Sequence, residues 1–164
     1  MNKESVTNRT GLKRSILISL ITIMILALLP MNALAKVPTE AEAYSSMIAL
    51  KAQYPDGTPW TNSNYYKWNA GIFSGGYGCA GFAFMLSDAA FGTDGTLRAR
   101  RIAYPFDYDS LRVGDILRIN NDTHSVIILE KYDSKVVVAE GNYGGKVHWG
   151  REFLKEKVLQ SDYY

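Results

Sequence analysis

Cysteine and histidine are scarce in this sequence, which contains one cysteine, Cys79, and two histidines, His124 and His148. A single cysteine excludes an internal disulfide. Three residues of these two types are also too few for a Cys/His zinc cage, which needs four ligands. We therefore expect neither a metal nor another cofactor.

The sequence also lacks an apolar run long enough to span a membrane. Its apolar stretch Ile16–Leu29, broken only by Ser19 and Thr22, has 14 residues, whereas a spanning helix needs about 18 or more. Basic residues precede this stretch and a small-x-small pattern follows it: Lys3, Arg9, Lys13 and Arg14 before, Ala33-Leu34-Ala35 after. This order predicts a secretory signal peptide over residues 1–35, cleaved after Ala35; an uncleaved anchor is the alternative.

The chain that remains after cleavage has no excess of basic residues. Residues 1–35 hold four of the 18 Lys and Arg residues and one of the 16 Asp and Glu residues, which leaves 14 basic and 15 acidic side chains. A net charge of −1 gives no reason to expect nucleic acid or a stable membrane contact as a partner. Residues 36–164 are enough for one ordinary core, so we expect a single exported, monomeric domain.

Cys79 stands where a predicted helix begins. The glycine-rich run Gly75–Gly78 precedes it, Gly92 is typical of a helix end, and apolar residues follow at helical spacing: Phe82, Met85, Leu86 and Ala89. Free N–H groups at a helix start favour a thiolate and can hold an oxyanion. A small buried hydrophobe is the alternative interpretation of Cys79, but an odd thiol in an exported protein favours a reactive or intermolecular one.

The pattern around this helix predicts an α+β domain. Thr39 with Glu42 three residues later is a capping box, which predicts a helix over Glu40–Gln53. Four strands joined by short turns follow Cys79: Asp115–Ile119, His124–Glu130, Val136–Asn142 and Lys146–Phe153. Helices first and strands after indicate an antiparallel meander with the helices packed on it.

The aromatic segment Trp60–Gly78 has neither a helix nor a strand pattern. We interpret it as a loop that lines a groove before the cysteine, because long irregular segments in compact domains are usually functional. The candidate substrate-binding side chains are Trp68 and Tyr77 in this loop and Trp149 on the fourth strand. The alternative is a loop whose rings only cover the core.

Polar residues stand at the ends of two neighbouring strands. His124 opens one strand, and Glu140 and Asn142 close the next, where residues two apart share a face. His124 joins that face only if the hairpin has an odd loop or a bulge, because a one-residue slip turns every side chain over. Taken singly, His124 and Glu140 also suit solvent-facing positions, but together with Cys79 they favour a nucleophile, a base and an orienting group.

These residues resemble a known family. The cysteine at a helix start, LRVGDIL at Leu111–Leu117, HSVIILE at His124–Glu130 and AEGN at Ala139–Asn142 are similar to the CHAP and NlpC-type branch of papain-like cysteine peptidases and amidases. The resemblance covers about Gly75–Trp149, and it implies a papain-like fold in which the nucleophile helix packs on the antiparallel sheet.

The resemblance also implies roles for individual residues. Cys79 is then the nucleophile, His124 the general base, Glu140 the group that orients the imidazole and Asn142 an accessory polar residue. The implied substrate is an amide bond of bacterial peptidoglycan, which agrees with a secreted or wall-associated location. Two alternatives stay open: a non-catalytic wall- or partner-binding module on the same scaffold, and a cysteine protease that acts on protein. His148 is the alternative base.

Overall fold

The computed structural model describes residues 36–69, 71–102 and 105–160, together with the backbone of Asp162 and Tyr163. The predicted signal peptide and its cleavage site after Ala35 lie outside the described residues. Among the residues that are described, no helix has both the length and the apolar character needed to cross a membrane.

The two longer helices precede the main sheet along the chain, so the class is α+β, as predicted. The helices are α1 (Glu40–Ala49, continued by a 3-10 turn at Leu50–Ala52), α2 (Gly78–Phe91) and α3 (Lys155–Val158). The strands are β1 (Tyr65–Tyr66), β2 (Gly76–Tyr77), β3 (Ile116–Ile119), β4 (His124–Lys131), β5 (Lys135–Tyr143), β6 (Lys146–Leu154) and β7 (Asp162–Tyr163).

The main sheet is antiparallel, with strand order β6-β5-β4-β3-β7. Strands β3 to β6 are neighbours in chain order, which confirms the predicted meander. Two features were not predicted. Strand β7 adds to the free side of β3, and the aromatic segment contains β1 and β2, which pair with each other although each has only two residues.

Local sequence signals set the start of α1 and the end of α2. The Thr39 hydroxyl accepts a hydrogen bond from the Glu42 N–H at 3.2 Å, and the Glu42 carboxylate accepts one from the Thr39 N–H at 2.8 Å. This is the predicted capping box. Helix α2 ends at Gly92, which adopts φ +87° and donates its N–H to the Asp88 carbonyl at 2.9 Å. A positive φ at the helix end favours glycine, as predicted there.

The sheet is buried on both faces, by a different cluster on each. Helices α1 and α2 cover one face with Met47, Phe82 and Leu86, which pack around Ile127 and Ala139. On the other face a second cluster lies around β4 and β5: Tyr108, Leu111, Leu117, Val126, Val138, Phe153 and Val158. Both faces of β4 are buried, so both of its alternating sets of side chains lie in a core. This explains why β4 has a continuous apolar run instead of an alternation of apolar and polar residues.

Helix α2 packs closely on the end of β5. A Cβ atom added at Gly141 would lie 2.6 Å from Cβ of Phe82 and 2.7 Å from the Trp60 ring, so only glycine fits between the helix and the strand. The N-terminal turn of α2, which holds Cys79, is thereby fixed near the strand segment that carries Glu140.

Candidate active site

The candidate site lies where α2, β4 and β5 meet. Cys79 is the second residue of α2 and is half-buried. His124 is the first residue of β4, and Glu140 lies near the end of β5. Three side chains that are separated by 45 and 16 positions in the printed sequence therefore reach one place.

The imidazole of His124 connects the other two side chains. Its Nε2 lies 2.7 Å from Oε2 of Glu140, and the ring is also hydrogen-bonded to the Cys79 thiol. The Glu140 side chain is fully buried, whereas that of His124 is 12% exposed. The carboxylate is thus closed to water, and the ring and the thiol lie at the surface, where a substrate can approach.

The surroundings change the proton affinity of both reactive groups. Burial by itself raises the pKa of the Cys79 thiol, but the hydrogen bond with His124 and one from the Ser125 N–H outweigh it and lower the pKa to about 7. Burial lowers the pKa of His124, but its bonds to Cys79 and Glu140 raise it to about 9. Between these values the stable form is a thiolate beside an imidazolium.

A β-bulge brings His124 onto the same face of the sheet as Glu140. The hairpin between β4 and β5 turns tightly, since the Tyr132 N–H donates to the Lys135 carbonyl at 2.8 Å. The pairs near this turn, such as Lys131 with Val136, are then shifted by one residue relative to Ile127 with Ala139. The shift lies between Ile128 and Glu130, so Leu129 is the extra residue. The sequence predicted an odd loop or a bulge, and the structure has the bulge.

Asn142 contacts a different part of the site. Its Nδ2 donates to Oδ1 of Asn62 at 2.7 Å, and both amides lie against Gly78, the residue before the cysteine. This differs from the expected shared face with Glu140 because Asn142 adopts φ +61°, which breaks the two-residue alternation of the strand. The structure therefore places Asn142 beside the turn that carries Cys79.

Gly78 is fixed from several directions. It adopts φ +56°, its N–H donates to the Asn64 carbonyl at 2.9 Å, and its carbonyl accepts from the Trp60 indole at 2.8 Å. A Cβ at this position would lie 2.4 Å from the Asn62 amide. The sequence analysis did not single out Asn62 or Asn64, since neither belongs to a recognisable motif.

The three predicted substrate-binding aromatics have different environments. Tyr77 is 61% exposed, and its ring centroid lies 4.9 Å from that of Tyr65, so an open aromatic pair lies next to Cys79. Trp149 is half-buried, donates its indole N–H to the Tyr54 carbonyl at 2.8 Å and packs edge-on against the core ring of Phe82 at 5.7 Å.

The structure does not support the prediction that Trp68 binds substrate. Trp68 is 3% exposed and stacks face to face on Phe84, with ring centroids 3.9 Å apart. An indole in this position fills the core, because its apolar faces are already covered by α2 and by its own loop. Within the aromatic loop, Trp60 and Trp68 therefore fit the alternative interpretation, and Tyr65 and Tyr77 fit the groove-lining one.

The alternative base His148 lies on β6, away from the thiol. Its Nε2 is 3.1 Å from the Tyr143 carbonyl and its Nδ1 is 3.9 Å from the Asp56 carboxylate. The ring that bonds the Cys79 thiol is that of His124.

Two arginines near the site were missed by sequence reasoning. Arg118 on β3 is held by Asp122 at 2.6 Å and by the Ser125 hydroxyl at 2.6 Å, and its charge also lowers the pKa of Cys79. Arg151 on β6 lies 3.0 Å from Oε1 of Glu140. Only the order of strands in the sheet shows that these side chains are close to Cys79 and Glu140.

A cavity of about 510 Å³ lies elsewhere in the molecule. Its lining includes Trp68, Phe91, Ile116 and the segment Leu97–Arg100, but none of the three site residues. The thiol, the imidazole and the carboxylate of the candidate site, which are the groups suited to acyl transfer, therefore lie outside this cavity. Within the described part of the chain, no group of three or more His, Cys, Asp or Glu side chains is arranged to hold a metal ion.

No family model matches the chain, and comparison with curated proteins and with solved structures gives no match either. The resemblance to CHAP and NlpC-type enzymes therefore stays a prediction that depends on the residues quoted for it. The arrangement of Cys79, His124 and Glu140 in the fold is an observation that does not depend on this resemblance.

Proposed function

We propose that this chain is a secreted cysteine-dependent amidase or endopeptidase with a papain-like fold, and that it cleaves amide bonds of peptidoglycan. The observation that carries the proposal is the hydrogen-bonded series from the Cys79 thiol through the His124 ring to the Glu140 carboxylate. A nucleophile, a base and a group that orients the base, in hydrogen-bond contact, are what acyl transfer requires.

In the proposed reaction the Cys79 thiolate attacks the carbonyl carbon of the amide. N–H groups in the first turn of α2 have no partner within the helix and can hold the oxyanion that develops. Collapse of this intermediate breaks the C–N bond, and the His124 imidazolium donates its proton to the leaving amine. The product that remains on the protein is a thioester of Cys79.

Water completes the cycle. Neutral His124 accepts a proton from a water molecule that attacks the thioester, and the thiolate leaves as the acid product forms. Glu140 keeps the ring oriented through both steps and stabilises its charged form, since it is buried and bonded to Nε2 at 2.7 Å. Its role is electrostatic and positional.

Two considerations support peptidoglycan as the substrate class. The first is the family resemblance together with the predicted export of the chain. The second is the exposed pair of Tyr65 and Tyr77, because flat aromatic surfaces bind peptide and sugar groups by contact with their apolar faces. A secreted protease that acts on protein would use the same reacting groups, so the substrate must be identified by experiment.

The test is incubation of the purified chain with purified peptidoglycan, followed by mass spectrometry of the released fragments. We expect new amine and carboxyl ends at one type of amide bond, and no release by Cys79→Ala. Cleavage of unfolded protein with peptidoglycan left intact would instead favour a protein-directed protease. Equal release by the wild type and Cys79→Ala would show that the thiol is not the nucleophile.

A further inference from the structure

The buried Glu140 carboxylate has a second charged neighbour besides His124. Oε1 of Glu140 and Nη1 of Arg151 are 3.0 Å apart, and both atoms are closed to solvent. The N–H group does not point at the oxygen, since neither atom has a hydrogen-bond partner of acceptable geometry in the described structure. The contact is therefore an ion pair whose effect is mainly that of the charge.

The backbone and two aromatic rings fix the position of this arginine. Gly150 is an extra residue in β6 between the pairs Val138 with Arg151 and Ala139 with Trp149, and it adopts φ +90°. Next to this bulge, Cζ of the Arg151 guanidinium lies 4.0 Å from the ring centroid of Tyr143 and 4.6 Å from that of Phe153. A planar cation held by two rings loses less freedom on pairing than a lysine ammonium would.

We infer that Arg151 is a positioning residue of the active site, which balances the Glu140 charge so that the carboxylate holds an imidazolium and, through it, the Cys79 thiolate. This inference rests on the proposed function and adds a fourth member to the three residues named there.

The Glu140 carboxylate and Nη1 of Arg151 are closed to water, so a balance of charge around them is favourable. Thiolate, imidazolium, carboxylate and guanidinium together carry no net charge, whereas without Arg151 the same group carries one negative charge. Burial of an unbalanced negative charge is unfavourable. Without Arg151, the set of thiolate, imidazolium and carboxylate therefore binds a proton more readily at neutral pH.

Both places for that proton weaken the thiolate. A proton on sulfur removes the thiolate directly. A proton on Glu140 removes the partner that stabilises the imidazolium, and the imidazolium in turn stabilises the thiolate. The other charged and titratable groups around these residues are Arg118 on β3, Tyr143 on β5 and His148 on β6, with Asp122 and Asp56 paired to Arg118 and His148.

The chain offers a direct measurement, because Cys79 is its only thiol. The rate of alkylation by iodoacetamide as a function of pH gives the midpoint of thiolate formation without any substrate. For Arg151→Met we expect this midpoint to rise by about 0.5 to 1 pH unit, so that alkylation at pH 7 slows about 2- to 5-fold. On a cleaved substrate, kcat should fall with little change in KM.

Two variants serve as controls. Arg151→Lys keeps the positive charge and should keep the midpoint near that of the wild type, although the contact with both rings is lost. Lys146→Met removes one positive charge from an exposed position of the same strand and should leave the midpoint unchanged. Circular dichroism and thermal unfolding show whether each variant keeps its fold.

The result that overturns the inference is a folded Arg151→Met protein with the wild-type alkylation midpoint, since a purely structural arginine would affect only thermal stability. If Arg151→Met does not fold, the midpoint of Arg151→Gln decides in the same way. Failure of the proposed function has a different signature: the wild-type midpoint is then that of an ordinary thiol, near pH 8.5, and does not respond to His124→Ala.

Discussion

Among the residues that the structure describes, two carboxylates are buried, and the groups that donate to Asp88 differ from the groups beside Glu140. Asp88, near the end of α2, is 3% exposed and accepts hydrogen bonds from the Tyr66 hydroxyl at 3.1 Å and from the backbone and side-chain amides of Asn69 at 3.0 and 2.9 Å. Glu140 is fully buried and lies between the imidazole of His124 and the guanidinium of Arg151.

We therefore expect the two carboxylates to have different roles: Asp88 supports a loop, and Glu140 controls the protonation of its neighbours. The hydroxyl and amide groups that donate to Asp88 tie the aromatic loop to α2, and they exchange no proton near pH 7; burial and Asp88 raise the pKa of Tyr66 to about 12. The partners of Glu140 include the titratable ring of His124, whose pKa is raised to about 9. Burial of a carboxylate alone therefore does not indicate an active site, whereas burial beside a titratable group that contacts a thiol makes the site a candidate one.

The largest effect is expected at the thiol itself. Cys79→Ser keeps the shape of the side chain but replaces the thiolate by a hydroxyl that stays protonated, so hydrolysis should fall by at least about 10⁴-fold. The thermal midpoint should stay near that of the wild type, because Cys79 is half-buried and serine differs from cysteine by a single atom. Release of fragments from peptidoglycan and thermal unfolding are the two measurements, and substantial residual turnover would contradict the role of the thiol.

Glu140→Gln tests the proposed role of this carboxylate with little change of side-chain volume. The amide cannot balance the imidazolium or Arg151, so we expect kcat to fall about 100-fold or more. Steady-state kinetics on the cleaved substrate measure the effect. A variant with normal kcat and lowered thermal stability would show that Glu140, like Asp88, supports the fold and takes no part in turnover.

The pH dependence gives a third test. The thiolate forms as pH rises through about 7, and the imidazolium that protonates the leaving amine is lost as pH rises through about 9. The rate kcat/KM should therefore follow a bell between these values and fall about tenfold per pH unit outside them. In Glu140→Gln the alkaline limb should move to lower pH, since the carboxylate raises the pKa of His124. An alkaline limb that stays in place would contradict that assignment.

Asp88→Asn is the matched substitution at the other carboxylate and should affect turnover least. Tyr66 and Asn69 both donate to the same oxygen of Asp88, Oδ2, so an asparagine can keep its carbonyl oxygen there but loses the charge that strengthens these bonds, which costs about 1 to 3 kcal/mol of stability. Thermal unfolding should show a midpoint lowered by several degrees, with both limbs of the pH profile unchanged. A shifted profile would show that the two carboxylates are coupled.

The predictions from sequence held where the signal was local. The capping box of α1 involves residues three apart, and the start of α2 at Gly78 and its end at Gly92 depend on backbone conformations that glycine favours. The convergence of His124 and Glu140 was also predicted, but only on the condition of an odd loop or a bulge, and the sequence did not decide between the two.

The predictions failed where a contact depends on several elements. Trp68 has the composition of a ligand-binding aromatic, but the packing of its loop on α2 buries it against Phe84. Asn142 follows the strand alternation in sequence, yet its positive φ directs the amide to Asn62. Arg151 has no sequence signal at all, because the bulge at Gly150 shifts its register relative to β5.

The sequence by itself determined which residues can react and which elements carry them: one thiol at a helix start, one histidine and one carboxylate at strand ends. These are set by short-range capping, periodicity and glycine geometry. Only the tertiary structure decided which charges surround the carboxylate and which aromatics stay exposed. The reason is that pairing across a sheet depends on bulges and on helix packing, and a shift of one residue in either gives each side chain a different neighbour.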